Sequence, residues 1–538
     1  MRKQWILLIL LLIFISTVNW IWLTIDNTVG YYNRYDHMRM SLRYARRLQE
    51  GDLSGFFKDL ISFRKERPPL VMLLTTPAHF FHYRNGDLAA MANVLFIALT
   101  FLIIFKICKF YLDPNSAILC CFILFMYPGV SFFTRVYPLP IALMSMVSLS
   151  IYLLLRCEYF TNLKYSILLG ISLGLGMLTK QSYPPFIAAP FIYIVLKSGL
   201  IPLIHKAKFR SPSSLSKVRL NFLYCLIGAL ALTSVWYIPN FKERIWPIYY
   251  NNSQEWARPR LSSLSPHYYL RNVKDFLLFY PVIMIKRGIS FFFALLFLFS
   301  SIIFLKIPKF RNVKDVLIWW MIFPFLVFSS FLNKQLRFII PLFPALAIIT
   351  GQGIYQIKTR LIRQVLIGLI VAVGLFQFFL SSFDIPMLSG ISPKRLTRGR
   401  IRLFVAGKRY RPGKREFMVN DIITAAREAM EKAGDTRRRV KFLCIHEGWS
   451  RSPVNYYAFK EKLDIRFRVP GSEKIYPSML AQENYDYVMY SDTSEDVDVK
   501  HKRMIDEALS YIKERPDEYR VIYEKTLRDG SNIVIYKR

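Results

Sequence analysis

Over the first 382 positions apolar residues come in long uninterrupted runs, with neither the 3.6-residue period of a surface helix nor the alternation of a half-buried strand. The run from Trp5 to Thr24 follows Met1-Arg-Lys-Gln. It is about 20 residues long and no small-x-small cleavage site follows, which marks a retained first span rather than a signal peptide. Ten further spans are predicted at 88–105, 116–133, 139–155, 165–179, 183–196, 220–238, 288–305, 316–332, 338–357 and 364–382. Several are short and dotted with Pro or Gly, which a bundle of neighbouring helices tolerates and a lone span does not. After about residue 416 the pattern changes. A helix is predicted at 418–433 and strands at 440–446, 464–469, 485–491, 519–526 and 532–537. An amphipathic helix at 497–514 carries Met504, Ala508, Leu509 and Ile512 at helical spacing. The expected organisation is a membrane domain over 1–382 with outer loops 25–87 and 239–287, a basic linker over 383–415 and a small α/β domain over 416–538.

Charge sets the orientation. The 538 residues are 53% hydrophobic and hold 73 Lys plus Arg against 36 Asp plus Glu, a formal net charge of +37. On so apolar a chain that excess points to membrane topology and anionic lipid; no helix-turn-helix, zinc-finger spacing or aromatic-interleaved basic strand directs it to nucleic acid. With the N-terminus inside, the inner loops hold nineteen Lys and Arg against Asp113, Glu158 and Asp315 alone. An odd number of spans then puts residues 383–538 outside. The stretch Lys394 to Arg415 opposes this, with ten cations and no acid just past the last span. Because the earlier loops agree with one another, the expected fold class remains a polytopic α-helical membrane protein of about 11 spans with an extracytoplasmic C-terminal α/β domain, in a bacterial plasma membrane. The six cysteines form no CxxC pair or Cys/His cluster, so no disulfide framework and no zinc site are expected.

Long loops on a compact bundle are where chemistry is sought. An interfacial amphipathic helix is predicted from Met38 to Glu50, with Arg39, Arg43, Arg46 and Arg47 on its polar face and Met40, Tyr44 and Leu48 entering the headgroup boundary. A carboxylate at the outer surface beside such cations is what glycosyl transfer from a lipid phosphate needs: a base for the acceptor hydroxyl, and cations for the departing phosphate. Asp36 is the candidate base and Asp26 the second choice; an Asp in either place also serves simply to cap a helix or pair with an Arg. The tail has no Gly-rich phosphate loop and no nucleophile elbow.

Three stretches of the first loop are distinctive: Tyr35-Asp-His-Met-Arg-Met-Ser-Leu-Arg-Tyr-Ala45, Arg67-Pro-Pro-Leu70 and Gly86-Asp-Leu-Ala-Ala-Met-Ala-Asn93. With Gly170 to Lys180, Val235-Trp-Tyr-Ile-Pro239 and Lys334 to Pro344 in that order, the chain resembles the C-superfamily glycosyltransferases, in particular the dolichyl-phosphate-mannose protein mannosyltransferase and aminoarabinose transferase group. The resemblance implies an outward-facing site, a first-loop Asp as general base at Asp36, a polyprenyl-phosphate-linked sugar as donor and a protein, lipid or glycan acceptor. Inversion at the anomeric carbon follows from direct displacement. The family context of Arg337 implies donor-phosphate binding, with snorkelling to headgroups as the plainer role. Lys180 is a lipid-phosphate contact or a topological anchor, and Arg135 is expected to mark the interface rather than neutralise phosphate. Tyr268 and Tyr269 belong to an aromatic belt or stack on sugar. His37 replaces the acid often found beside the first-loop Asp, and no acid follows Arg135, so a divalent metal is not indicated. The rival class is a transporter or flippase for lipid-linked sugars; it lacks support from internal repeats or mid-membrane ionisable residues.

Overall fold

A computed structural model describes residues 2–26, 34–63, 67–81, 85–200, 212–241, 273–308, 311–331, 333–383, 404–405, 412, 419–436, 440–445, 451–468, 480, 485–491, 499–526 and 532–538. Two compact units divide the chain: Met1–Asp26 with Tyr44–Gly413, and Asn27–Arg43 with Lys414–Arg538.

In the first unit, α1 (Arg2–Ile25) is apolar beyond its first turn. α2 (Arg34–Gln49) crosses the boundary between the units along the chain. α3 (Leu53–Ser62) starts at Asp52, whose carboxylate accepts the Gly55 N–H at 2.8 Å. Arg47 joins the two helices by an ion pair to Asp52 and another to Asp59 at 3.0 Å. α4 (Leu70–Thr75), α5 (Asn85–Tyr111), α6 (Ala117–Met126), α7 (Pro128–Phe133), α8 (Leu139–Arg156), α9 (Leu163–Thr179), α10 (Pro184–Lys197) and α11 (Pro212–Tyr237) follow. Then come α12 (Val273–Ile283), α13 (Phe291–Leu305), α14 (Arg311–Ser330), α15 (Phe343–Tyr355) and α16 (Arg360–Ser382). All eleven predicted spans contain helix. Among the described residues six helices are long and apolar enough to cross a membrane: those at Lys3–Ile25, Asp87–Tyr111, Leu139–Arg156, Leu215–Tyr237, Val313–Ser330 and Arg360–Ser382. The rest are shorter, and Pro explains two of the breaks. Pro128 opens α7 after an extended Tyr127, splitting the run predicted at 116–133, and the run at 338–357 begins as two 3₁₀ turns, Leu336–Phe338 and Ile340–Leu342, around Pro341. α8 is enclosed on nearly all sides, whereas α11 leaves Leu223, Ile227, Leu230 and Val235 exposed, as a helix facing hydrocarbon does.

The interfacial reading of α2 is corrected by its packing. Met40 and Tyr44 are buried in protein, Tyr44 edge-on to Phe56 at 5.9 Å. The exposed apolar side chains lie instead on α3, at Leu53 and Phe57.

The second unit holds a five-stranded sheet in the order β2-β1-β3-β5-β4 among the described residues. Its elements are α17 (Val419–Lys432), β1 (Val440–Ile445), α18 (Arg451–Lys460), β2 (Ile465–Arg468), β3 (Tyr487–Ser491), α19 (Val499–Lys513), β4 (Arg520–Thr526) and β5 (Asn532–Lys537). β1 pairs in parallel with β2 and β3, and β5 runs antiparallel to β3 and β4. Both faces are covered, which is why β1 reads as a nearly continuous apolar run. Phe442 and Cys444 pack with Ile422, Ala426 and Ala458 of α17 and α18, while Leu443 and Ile445 pack with Ala508 and Ile512 of α19.

Candidate functional site

Three cations of the first unit stand at three places: Arg135 on the turn after α7, Lys180 at the end of α9 and Arg337 in the 3₁₀ turn Leu336–Phe338. α7 ends at Phe133, and the turn that follows is tied from three elements. Asn93 of α5, fully buried, donates to the carbonyls of Phe133, Thr134 and Val136 at 3.3, 3.0 and 2.6 Å. Asn19 of α1 donates to the Thr134 hydroxyl at 3.1 Å, and the hydroxyls of Thr75 and Tyr137 bond to each other. Arg135 projects from this turn into the interior, 1% exposed. Its Nε donates to Asn19 Oδ1 at 3.0 Å, and its guanidinium lies 5.1, 5.5 and 5.9 Å from the rings of Phe378, Trp22 and Phe383. Among the described residues no carboxylate faces it, and one terminal nitrogen, Nη2, has no hydrogen-bond partner. The expectation of an interface arginine is therefore corrected. The tied turn directs the side chain inward, where an aromatic cage replaces headgroups.

Lys180 ends α9 in an extended conformation, and Arg337 belongs to the 3₁₀ turn Leu336–Phe338. Both are half-buried. They meet at one ring: Lys180 Nζ is 5.4 Å and the Arg337 guanidinium 5.5 Å from the centre of Phe338, which itself stacks on Phe328 at 6.0 Å. No carboxylate pairs with Lys180 among the described residues. Two cations sharing one ring repel each other, a repulsion that a bound anion would offset.

Asp26 follows α1 and is half-buried, its backbone N–H on Trp22 O at 3.0 Å. Asp36 and His37 belong to the second unit, in the first turn of α2, where the exposed N–H groups favour a carboxylate. Asp36 is half-buried and His37 buried. Among the described residues no group of three or more His, Cys, Asp and Glu is arranged to hold a metal ion. Tyr268 and Tyr269 lie outside the described residues. The sequence assigned no site role to Asn19, Asn93 or Phe338. An amide inside an apolar span is a signal in itself, because it needs a partner there; nothing in the text around Phe338 shows that Lys180 will reach it.

Residues 66–238 match the family model of the dolichyl-phosphate-mannose-protein mannosyltransferases. The fold matches that of ArnT from Cupriavidus metallidurans, solved bound to undecaprenyl phosphate, with a TM-score of 0.55, 16% identity, and 98% of this chain and 97% of that chain covered. The same protein in its apo state gives a TM-score of 0.53 at 15% identity, with 98% and 97% covered. The chain resembles the C-superfamily membrane glycosyltransferases. No curated protein matches it significantly by sequence. Fold class and integral membrane character follow from the fold match and the apolar helices together.

Proposed function

We propose that the protein transfers a sugar from a polyprenyl-phosphate donor to an acceptor on the outer side of a bacterial plasma membrane. The observation that carries the reading is the pair Lys180 and Arg337 brought onto Phe338 in a fold shared with ArnT, which was solved with undecaprenyl phosphate. In this reading Asp36 takes the proton of the acceptor hydroxyl as its oxygen attacks the anomeric carbon, with Asp26 the second choice. The carbon–phosphate oxygen bond breaks on the opposite side, inverting the configuration, and Arg337 and Lys180 balance the charge left on the lipid phosphate. Arg337 supplies a planar pair of donors that Lys does not. The leaving group is already a lipid phosphate, so the reaction needs no nucleotide.

The test is product formation in liposomes from a polyprenyl-phosphate-linked hexose. Asp36→Asn should lower turnover roughly 10²–10⁴-fold with folding unchanged. Near-normal turnover there, with severe loss in Asp26→Asn, transfers the role to Asp26. Arg337→Lys should raise the Michaelis constant for the donor at low and high salt alike; an unchanged constant at both reduces Arg337 to an anchor. Movement of the lipid-linked sugar across the bilayer without product would favour the flippase reading.

A further inference from the structure

The helix that carries Asp36 is built into the tail unit. Tyr35, next to Asp36 and 5% exposed, packs its ring 5.4 Å from Tyr456 and 6.0 Å from Tyr457 of α18. Those two rings meet edge to face at 5.3 Å. One turn along α2, the Arg39 guanidinium lies 5.4 Å over the ring of Phe459. Met38, between these anchors, and Met40, just beyond them, are buried. α18 is in turn fixed to the sheet. Val454 and Ala458 enter the core shared with α17, and the Asn455 side chain makes both hydrogen bonds to the backbone of Phe467 in β2, donating to its carbonyl at 2.8 Å and accepting from its N–H at 3.1 Å. One face of α18 thus belongs to the sheet and another to α2.

We infer that Tyr35 of α2, seated with Arg39 on Tyr456, Tyr457 and Phe459 of α18, is a positioning residue for Asp36, so that the tail sheet sets where the proposed base stands. The inference rests on the proposed function for the role of Asp36, and on geometry alone for the seating of α2. A base displaced by about 1 Å loses on the order of 10²-fold in rate, so a helix of four turns needs such a support. The seating rests on two aromatic pairs and one cation–ring contact, few enough for single substitutions to remove it.

Hydrogen exchange on the full-length protein in detergent reads the seating without any substrate. Tyr456→Ala should speed exchange of the α2 amides over residues 35–43 at least tenfold while β1 and β3 stay protected, and Tyr456→Phe should restore protection. If the tail sheet itself loses protection in Tyr456→Ala, Tyr35→Ala, which removes no residue of the sheet or of α18, gives the decisive trace; unchanged exchange in α2 overturns the inference. With the polyprenyl-phosphate hexose in liposomes, Tyr35→Ala should lower kcat roughly 10–100-fold with the donor KM unchanged, and Tyr35→Phe should recover most of it. Added to Asp36→Asn, Tyr35→Ala should cost nothing further, because its effect passes through Asp36; a full additive loss overturns the positioning role. Near-normal turnover in Asp36→Asn would instead refute Asp36 as the base, and the exchange experiment then decides the seating by itself.

Discussion

Arg135, on the turn after α7, and Asn93, which reaches that turn from α5, are both buried polar residues, and they should answer substitution in opposite ways. Asn93 shares its two amide hydrogens among three buried carbonyls, of which Phe133 also accepts the Val136 N–H, so Thr134 and Val136 depend on it most. Leaving such groups orphaned costs about 1–3 kcal/mol each, so Asn93→Leu should lose about 2–4 kcal/mol of stability and shift the thermal midpoint down by several degrees. Arg135 is a buried charge with a neutral hydrogen-bond partner and three rings. Cation–π contacts return about 0.5–2 kcal/mol apiece, against several kcal/mol for desolvating the ion. Asn19 and Thr134 still bond to each other without it. Arg135→Met should therefore leave the thermal midpoint unchanged or raised, while reducing turnover if the charge is kept for substrate. A midpoint lowered by more than a few degrees would make Arg135 a structural residue. Charged candidates were legible one by one in the sequence, since a cation in an apolar text stands out. What each one faces was not, because the contacts of Arg135 join residues more than a hundred positions apart.

At the scale of elements, the long apolar runs translated into helices and the short apolar runs of the tail into strands, because both patterns report burial directly. The predicted strands at 440–446 and 485–491 appear as Val440–Ile445 and Tyr487–Ser491. α18 had no prediction, since Tyr456, Tyr457 and Phe459 serve α2 while Val454 and Ala458 serve the sheet, and a helix with two buried faces shows no single apolar stripe. Packing between elements gives a sharper test in α9 and α11. A Cβ on Gly170 would stand 2.2 Å from the carbonyl oxygen of Cys225, whereas one on Gly228 would meet nothing nearer than 3.6 Å. Gly170→Ala should destabilise by about 1–3 kcal/mol through forced separation of the helices, and Gly228→Ala should be tolerated; equal midpoints for the two variants would deny the close approach. In the tail, Tyr523 donates to Glu428, and Lys525 lies 3.5 Å away. The Tyr523 hydrogen bond holds the Glu428 carboxyl below its ordinary value, with Lys525 adding to the effect. A depressed carboxylate contributes stability above its unfolded pKa of about 4.3 and loses it as pH falls through the lower folded value. Tail stability should therefore decline in acid less steeply in Glu428→Gln than in the parent, as read by denaturant midpoints between about pH 7 and pH 3.

For the whole molecule the open quantity is sidedness, and charge argues it from two directions. The polytopic class was legible because an apolar text of this length has one solution in lipid. Unit membership was not, because the assignment of Asn27–Arg43 to the tail depends on contacts such as Tyr35 with Tyr456, four hundred residues apart. Inner loops assigned with the N-terminus inside hold nineteen Lys and Arg against three acids, a bias that each short loop reinforces. The ten cations of Lys394 to Arg415 pull the other way, at about 1 kcal/mol each near an anionic surface, but they come after the earlier spans have set the orientation. We expect the C-terminus outside. A reporter fused after Arg538 that works only in the cytoplasm should stay dark, and one that needs export should be active. Neutralising Arg2 and Lys3 should weaken the orientation more than neutralising several residues of the 394–415 cluster, because the first loops act before the last span is made. A bright cytoplasmic reporter on the unaltered protein would move residues 383–538, and with them the tail sheet, to the inner side. It would also separate the proposed acceptor chemistry from the outer surface, since Asp36 belongs to the same unit as that sheet.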